Sequence, residues 1–307
     1  MRVFVTGATG LIGSATVREL LDAGHQVLGL ARSDASATKL TTAGAEALRG
    51  DLDDLDSLRA GAAAADGVIH TAFKHDLGDV TDAPRADVTT GVQADRRAIE
   101  AFGDVLAGSD RPLVIASGTA VMGSGRLVTE DSTSAADGPA AGRAGTEAMA
   151  RSLAGRGVRA CAVRLPPTVH GSADKHGFIP RIIATARAAG VSMYPGDGAN
   201  RWPAVHQLDA AHLFRLGLEH ASAGAALHAV AEEGIAVREI AEVIGRHLDV
   251  PVKSVSPDEV RERLGFIGAI FAMDTPATSE KTREEMGWRP TGPGLIADLD
   301  AGHYFDD

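Results

Sequence analysis

Short apolar runs recur through the first half of the chain, each followed by a turn and then by apolar residues at helical spacing. The first run, Val3-Phe4-Val5, has β-branched character and reads as a strand buried on both faces. Thr6 to Gly10 supply a turn, and Leu11, Ile12, Ala15, Leu20 and Leu21 mark a helix that ends at Gly24. Further strands are expected at 26–30, 45–48, 68–71, 113–116 and 158–164, with helices between them at about 35–43, 52–60, 84–108 and 143–154. The spacing of Val88, Val92, Ile99, Phe102, Val105 and Leu106 makes the 84–108 segment one long helix with a sheet-facing stripe. Strands alternating with helices predict an α/β fold, a doubly wound parallel sheet covered on both faces. After Leu165-Pro166-Pro167 the rhythm loosens into Pro/Gly loops with helices near 178–189, 209–219, 237–247 and 257–264. This half is expected to form a smaller lobe over the carboxyl edge of the sheet, where open α/β folds bind ligands.

The turn after the first strand carries the first chemical signal. Gly7, Gly10 and Gly13 stand between a strand and a helix start, the geometry that holds a dinucleotide pyrophosphate. Such glycines let the backbone approach the phosphates, and the helix end offers free N–H groups with partial positive charge. The second strand ends at Ala31-Arg32-Ser33, where the fold presents its ribose-selecting residue. An acid there would bind the free ribose hydroxyls of NAD, and a base accommodates the extra phosphate of NADP. Ala31 takes the acid's place with Arg32 beside it, so NADP(H) is the expected cofactor, with NAD(H) as the alternative; Arg32 could instead be a plain solvated loop residue. Asp51, past the third strand, could reach the adenine amino group or cap the helix from Leu52, or both. Thr71, Ala72 and Phe73 leave the fourth strand, with small residues where the cofactor backbone must pass.

Composition narrows the class. The chain has 307 residues and a net charge of −11, which argues against nucleic acid as a partner. Cys161, the single cysteine, lies in an apolar run and reads as a core residue, which fits a reducing cytoplasm. No apolar stretch approaches a membrane span, and glycines break the first run too early for a signal peptide. No histidine or cysteine cluster has metal-ligand spacing, so no metal is expected. There is no Gly-x-Ser-x-Gly elbow, and no Lys-Ser/Thr follows the glycine loop.

Taken together, the motifs resemble those of the extended short-chain dehydrogenases/reductases of the nucleotide-sugar epimerase/dehydratase type, over nearly the whole length. Thr6-Gly-Ala-Thr-Gly-Leu-Ile-Gly13 is similar to that family's pyrophosphate loop, and Gly50-Asp51-Leu52 to its adenine-site motif. Val68-Ile-His-Thr-Ala72 resembles the strand lining the cofactor, and Arg164-Leu-Pro-Pro-Thr-Val-His-Gly171 the segment passing the nicotinamide. Pro195-Gly-Asp-Gly198, Trp202 to Asp209 and Lys281 to Pro290 resemble signatures of the substrate lobe and the C-terminal region. The resemblance implies a Rossmann-type cofactor domain over 1–165 with a returning segment at about 204–230, and a substrate lobe from 166–203 and 231–307. It implies cofactor contacts from Gly7, Thr9, Gly10, Leu11, Ile12, Gly13, Arg32, Ser33, Asp51, Leu52, Thr71, Ala72, Phe73, Arg143, Pro166 and Val169. Members of this kind often pair through two helices, so a homodimer through the 84–108 and 143–154 helices is expected.

The departure from that family lies at the chemistry. Its usual Tyr-x-x-x-Lys pair uses tyrosine as acid or base and lysine to lower the tyrosine pKa and hold the nicotinamide ribose. The tyrosines here are Tyr194, with Gly198 four residues on, and Tyr304, too near the last residue for such a partner. Aligned on Glu147, the tyrosine position falls on Pro139, the lysine position on Arg143 and the usual serine on Gly118. Arg143 could keep the ribose contact but cannot give up a proton at neutral pH. Ser117 and Thr119, flanking Gly118, could polarise a carbonyl or simply cap the next turn. His170, His176 and Tyr194 are further substitutes, each with a structural alternative. The expectation is an NADP-preferring oxidoreductase or epimerase-like enzyme acting on a small carbonyl, alcohol or nucleotide sugar. The alternative is a sensor or scaffold that keeps the cofactor site and has lost catalysis.

Overall fold

The computed structural model describes residues 1–74, 88–134 and 140–306. The first half lays down β1 (Arg2–Thr6), α1 (Leu11–Asp22), β2 (Gln26–Ala31), α2 (Asp34–Thr42), β3 (Glu46–Arg49), α3 (Leu55–Ala63) and β4 (Gly67–His70). It continues with α4 (Val88–Leu106), β5 (Pro112–Gly118), α5 (Ala140–Ser152) and β6 (Arg159–Leu165). Residues 84–87 of the expected long helix lie outside the described residues, as do His75 and Pro139.

Among the described residues the main sheet has seven strands in the order β3-β2-β1-β4-β5-β6-β10, the last being Ala226–His228. Every neighbouring pair is parallel. The order reverses between β1 and β4, which opens a crevice at the carboxyl ends of those strands. Side chains alternate across the sheet as a period of two demands. Val3 and Val5 enter a core with α1, α2 and α7 (Gln207–His220), while Phe4, Leu28 and Val68 enter a second core with α3, α4 and α5. Val3, Phe4 and Val5 are fully buried, so β1 is covered on both faces.

The second half adds β7 (Thr168–His170), α6 (Phe178–Ala189), β8 (Ser192–Pro195) and β9 (Arg201–His206) ahead of α7. After β10 come β11 (Glu232–Ala236), α8 (Val237–Leu248), β12 (Val252–Val255), α9 (Pro257–Phe271), α10 (Glu280–Met286) and α11 (Leu295–Asp300). A three-stranded sheet β11-β9-β7 and a two-stranded pair β12-β8 share a third core with α6, α8, α9 and α11, centred on Trp202, Ile240 and Phe271. The helix expected at 257–264 continues to Phe271 through a kink at Gly265. Its start is well specified: Pro257 occupies the first turn and the Ser256 hydroxyl accepts from the Glu259 N–H.

A staple on α7 ties the C-terminal region to the main sheet. The Asp209 carboxylate on α7 accepts the N–H groups of Thr291 (2.8 Å) and Gly292 (2.9 Å). Trp288, fully buried, donates its indole N–H to the Asp209 carbonyl at 3.0 Å. Replacing Asp209 by alanine leaves two backbone donors without their carboxylate, so urea unfolding should show a loss of about 2–3 kcal/mol. Cys161 is buried in β6, and burial pushes its thiol up to about 12. The folded chain should therefore resist a disulfide-exchange reagent at pH 8 and react with one equivalent once unfolded.

Candidate functional site

The carboxyl edge of the main sheet gathers the residues singled out by sequence. β1 ends at Thr6, and Gly7 turns with φ +68°, a conformation that favours glycine. A Cβ at Gly7 would lie 2.7 Å from the Ala72 nitrogen and 2.8 Å from the Thr71 hydroxyl. One at Gly13 would lie 2.0 Å from the Gly7 carbonyl oxygen. The turn therefore closes only with no side chain at positions 7 and 13, and the Gly10 N–H donates to Gly7 O at 2.9 Å. Gly10 is the N-cap of α1 and supplies no side-chain cap, so the first amides of α1, with Thr9, Leu11 and Ile12 beside them, stay open to an anion. This cradle fits a diphosphate.

Beside it, Arg32 and Ser33 are exposed at the end of β2. Ser33 caps α2, accepting from the Ser36 N–H at 3.1 Å. Arg49, in register with Ala31, donates to the Arg32 carbonyl at 3.5 Å and pairs with Asp34 at 3.4 Å. Two arginines thus stand at the carboxyl ends of β2 and β3, and Arg49 is one the sequence reading passed over. Its place at the end of a short strand paired with β2 was the available signal. Asp51 does not cap α3. It accepts from the Asp53 N–H at 3.0 Å, and Asp54 caps the helix by accepting from Ser57 N–H at 3.2 Å, so α3 starts at Leu55 rather than at Leu52, which is buried in the turn. Lys74 binds Asp53, and Arg97 reaches it at 3.2 Å. The Lys74 hydrogen bond is the main reason the Asp53 carboxyl sits below its usual range.

At the crevice itself a polar chain runs through the sheet end. The Thr71 hydroxyl donates to Thr6 O at 2.8 Å, and the Ala72 N–H points to the Thr6 hydroxyl at 3.4 Å. Thr6 Oγ1 is 2.6 Å from His70 Nδ1, and His70 Nε2 is 2.9 Å from Asp95 Oδ1. The other Asp95 oxygen accepts from Arg143 Nη1 at 3.2 Å, and Arg143 Nη2 donates to Ala116 O at 3.3 Å. The guanidinium lies 4.1 Å over the Phe73 ring. Burial lowers the Arg143 pKa while Asp95 and Glu147 hold it up. Asp95 is a site residue the sequence reading missed, because on paper it is one polar position on an amphipathic helix.

Ser117, near the end of β5, turns its hydroxyl into the interior. Its hydroxyl donates to Glu147 Oε2 at 2.6 Å, and Glu147 takes two hydrogen bonds from Arg164 Nε and one of 2.7 Å from Arg164 Nη2. Arg164 also donates to Glu130 O at 3.0 Å, all of this within the protein interior. Thr119 is fully buried, and among the described residues its hydroxyl has no partner. His170 is buried in β7, with Nδ1 on Asp298 at 2.8 Å; burial pulls its pKa down against the pull of that carboxylate. His176 is exposed, and Tyr194 packs in the third core under Arg238. Pro166 is buried beyond β6, and Val169 is half-buried in β7. His170, His176 and Tyr194 belong to the second half of the chain, with their contacts there rather than to Arg143. Among the described residues, no helix is long and apolar enough to cross a membrane, and no group of three or more ligating side chains could hold a metal.

Comparison with known proteins matches this geometry. The family model of the NAD dependent epimerase/dehydratase family matches residues 3–231. An uncharacterized protein of Schizosaccharomyces pombe is 49% identical over 306 residues, covering 99% of this chain and 100% of its own. A second, from Saccharomyces cerevisiae, is 43% identical over 305 residues, covering 99% of each. Among solved structures, a dTDP-glucose 4,6-dehydratase of Streptomyces venezuelae with NAD bound superposes with a TM-score of 0.77 at 24% identity, covering 98% of this chain and 96% of that one. The chain belongs to the NAD dependent epimerase/dehydratase family.

Proposed function

We propose that this chain binds NADP(H) in the crevice and acts as an oxidoreductase or epimerase-like enzyme on a small carbonyl, alcohol or nucleotide-sugar substrate. The observation that carries the reading is the β1–α1 turn, closed to any side chain at Gly7 and Gly13 and opening onto uncapped amides of α1. In this reading Gly7, Thr9, Gly10, Leu11, Ile12 and Gly13 hold the diphosphate, with Asp51 and Leu52 beside the adenine. Arg32, with Ser33 and Arg49, takes the 2′-phosphate; an arginine at the end of each of two paired strands, with Arg49 reaching the Arg32 carbonyl, supports NADP(H) over NAD(H). Thr71, Ala72 and Phe73 line the middle, and Arg143, Pro166 and Val169 the nicotinamide end. When bound, the nicotinamide supplies a hydride donor or acceptor.

The division of labour places the cofactor on 1–165 with 204–230 and the substrate on 166–203 with 231–307. The structural likeness to a sugar-nucleotide dehydratase supports the substrate class. We assign Ser117 to holding Glu147 rather than to chemistry, since its hydroxyl proton is already donated there. Thr119 is the remaining hydroxyl at the end of β5, with Arg143 a binding group that holds its proton. The rest of the reading is a cytoplasmic homodimer through the outer faces of α4 and α5. Those faces carry small and charged residues such as Gly145, Ala148, Arg96 and Glu100, so the pairing would be polar.

A second reading is favoured by one observation, the commitment of the Ser117 hydroxyl to a carboxylate, and agrees with the alignment that puts the tyrosine position on Pro139. A chain with these features serves as an NADP(H) sensor or scaffold. Turnover separates the two. The enzyme reading expects NADPH oxidation with at least one member of a panel of aldehydes, ketones and sugar nucleotides, whereas silence across the panel with intact binding selects the sensor. For binding, NADPH should raise the melting temperature of the native chain and leave Gly13→Ala unmoved. Arg32→Ala should weaken NADPH about tenfold or more and NADH little. An equal loss for both nucleotides overturns the cofactor preference.

A further inference from the structure

We propose that Asp95 is a positioning residue that neutralises and orients Arg143, making the guanidinium a fixed pair of donors for uncharged vicinal hydroxyls in the crevice. This rests on the reading that the crevice holds a dinucleotide. Asp95 is 4% exposed, on the inner face of α4, and each of its oxygens has a partner: His70 Nε2 at 2.9 Å and Arg143 Nη1 at 3.2 Å. His70 is fixed in turn by Thr6, the last residue of β1 before the glycine turn. The guanidinium is held on three sides, by the Asp95 carboxylate, the Ala116 carbonyl and the face of Phe73. Its side chain keeps 22% of its surface exposed at the end of β5. A guanidinium carries five N–H groups, of which these contacts use two.

Two arguments turn this geometry into a role. A buried Arg–carboxylate pair loses in desolvation much of what it gains in attraction, so stability alone is a weak reason for it. The pair also carries no net charge. A free guanidinium would suit a phosphate, whereas a neutralised one with a fixed plane suits a neutral diol, which accepts two directed N–H bonds. Such a diol comes from the nicotinamide-side ribose of the cofactor or from a sugar substrate, and the ligands chosen below separate the two.

The test compares NADPH with 2′,5′-ADP, which carries the adenosine half and lacks the second ribose. Dissociation constants are measured by calorimetry on the native chain, Asp95→Asn, Arg143→Met and the double variant. The expected result is about tenfold weaker NADPH binding in each single variant, with 2′,5′-ADP unchanged. The double variant should bind NADPH no more weakly than Arg143→Met alone, because Asp95 acts through Arg143. Should Asp95→Asn fail to fold, Asp95→Glu keeps the charge but displaces the carboxylate from Arg143 Nη1, and should show the same split between the two ligands. Unchanged NADPH affinity overturns the proposal for the cofactor ribose, and a loss that appears only with a sugar nucleotide present moves the diol to the substrate. Equal losses for NADPH and 2′,5′-ADP, or additive losses in the double variant, overturn the positioning role while the cofactor reading stands. A native chain that binds neither ligand overturns that reading and this proposal with it.

Discussion

The close passage of the β1–α1 turn against the end of β4 is the constraint on which the rest depends. Thr6 is stitched to Thr71 and Ala72 by backbone and hydroxyl hydrogen bonds, so the two strands leave the sheet side by side. In that space the next residue has no room for a Cβ, and α1 must begin almost in contact with the turn. Neighbouring strands here come from distant parts of the chain, with the order reversing between them, so the crevice is a consequence of topology. The same closeness that forbids side chains leaves backbone N–H groups as the lining of the crevice. A diphosphate is the group such a lining recognises best.

Much of this was legible in the sequence, and the parts that were not have a common cause. The strands β1, β2, β4, β5 and β6 show as apolar runs because both faces of a parallel sheet are covered, leaving nothing polar to interrupt them. The glycines show because their spacing is dictated by backbone contacts within a dozen residues. The start of α3 was misplaced because Asp51 and Asp54 offer the same side chain three residues apart, and only the turn geometry assigns the cap to Asp54. The strands of the second half, β7 to β12, run three to six residues among prolines and glycines, too short to impose a period. Asp95 and Arg49 were hidden for another reason. Each acquires its role from a partner distant in sequence, Arg143 in one case and the end of β2 in the other.

The charges on α5 that reach the sheet are not scattered. On α5, Arg143, Glu147 and Arg151 follow one another at four-residue spacing, which puts them along one stripe of the helix. Glu147 is turned inward on Ser117 and Arg164, fixing β5 to β6 beneath the helix, while Arg143 emerges one turn nearer the crevice. Charges of this kind are costly to desolvate and are tolerable only when their hydrogen bonds are nearly complete. Arg164 meets that condition with Glu147, the Glu130 carbonyl and His228. The register of α5 on the sheet is therefore set by polar contacts, and the position of Arg143 follows from them.

That register bears on what chemistry the crevice can support. In the Tyr-x-x-x-Lys arrangement the lysine contributes a net positive charge that makes a neighbouring hydroxyl more acidic. On the proposed alignment Arg143 takes the lysine's place, and with Asp95 against it the pair contributes no net charge. On that proposal the electrostatic half of the arrangement goes with the tyrosine, and the two changes are consistent with each other. An arginine held by a carboxylate keeps directed donors in a fixed plane at that spot, which a lysine's single ammonium would not. On the proposed reading, the crevice is therefore organised to hold hydroxyls in place rather than to create an oxyanion. Any proton the reaction needs is supplied from outside the Arg143–Asp95 pair.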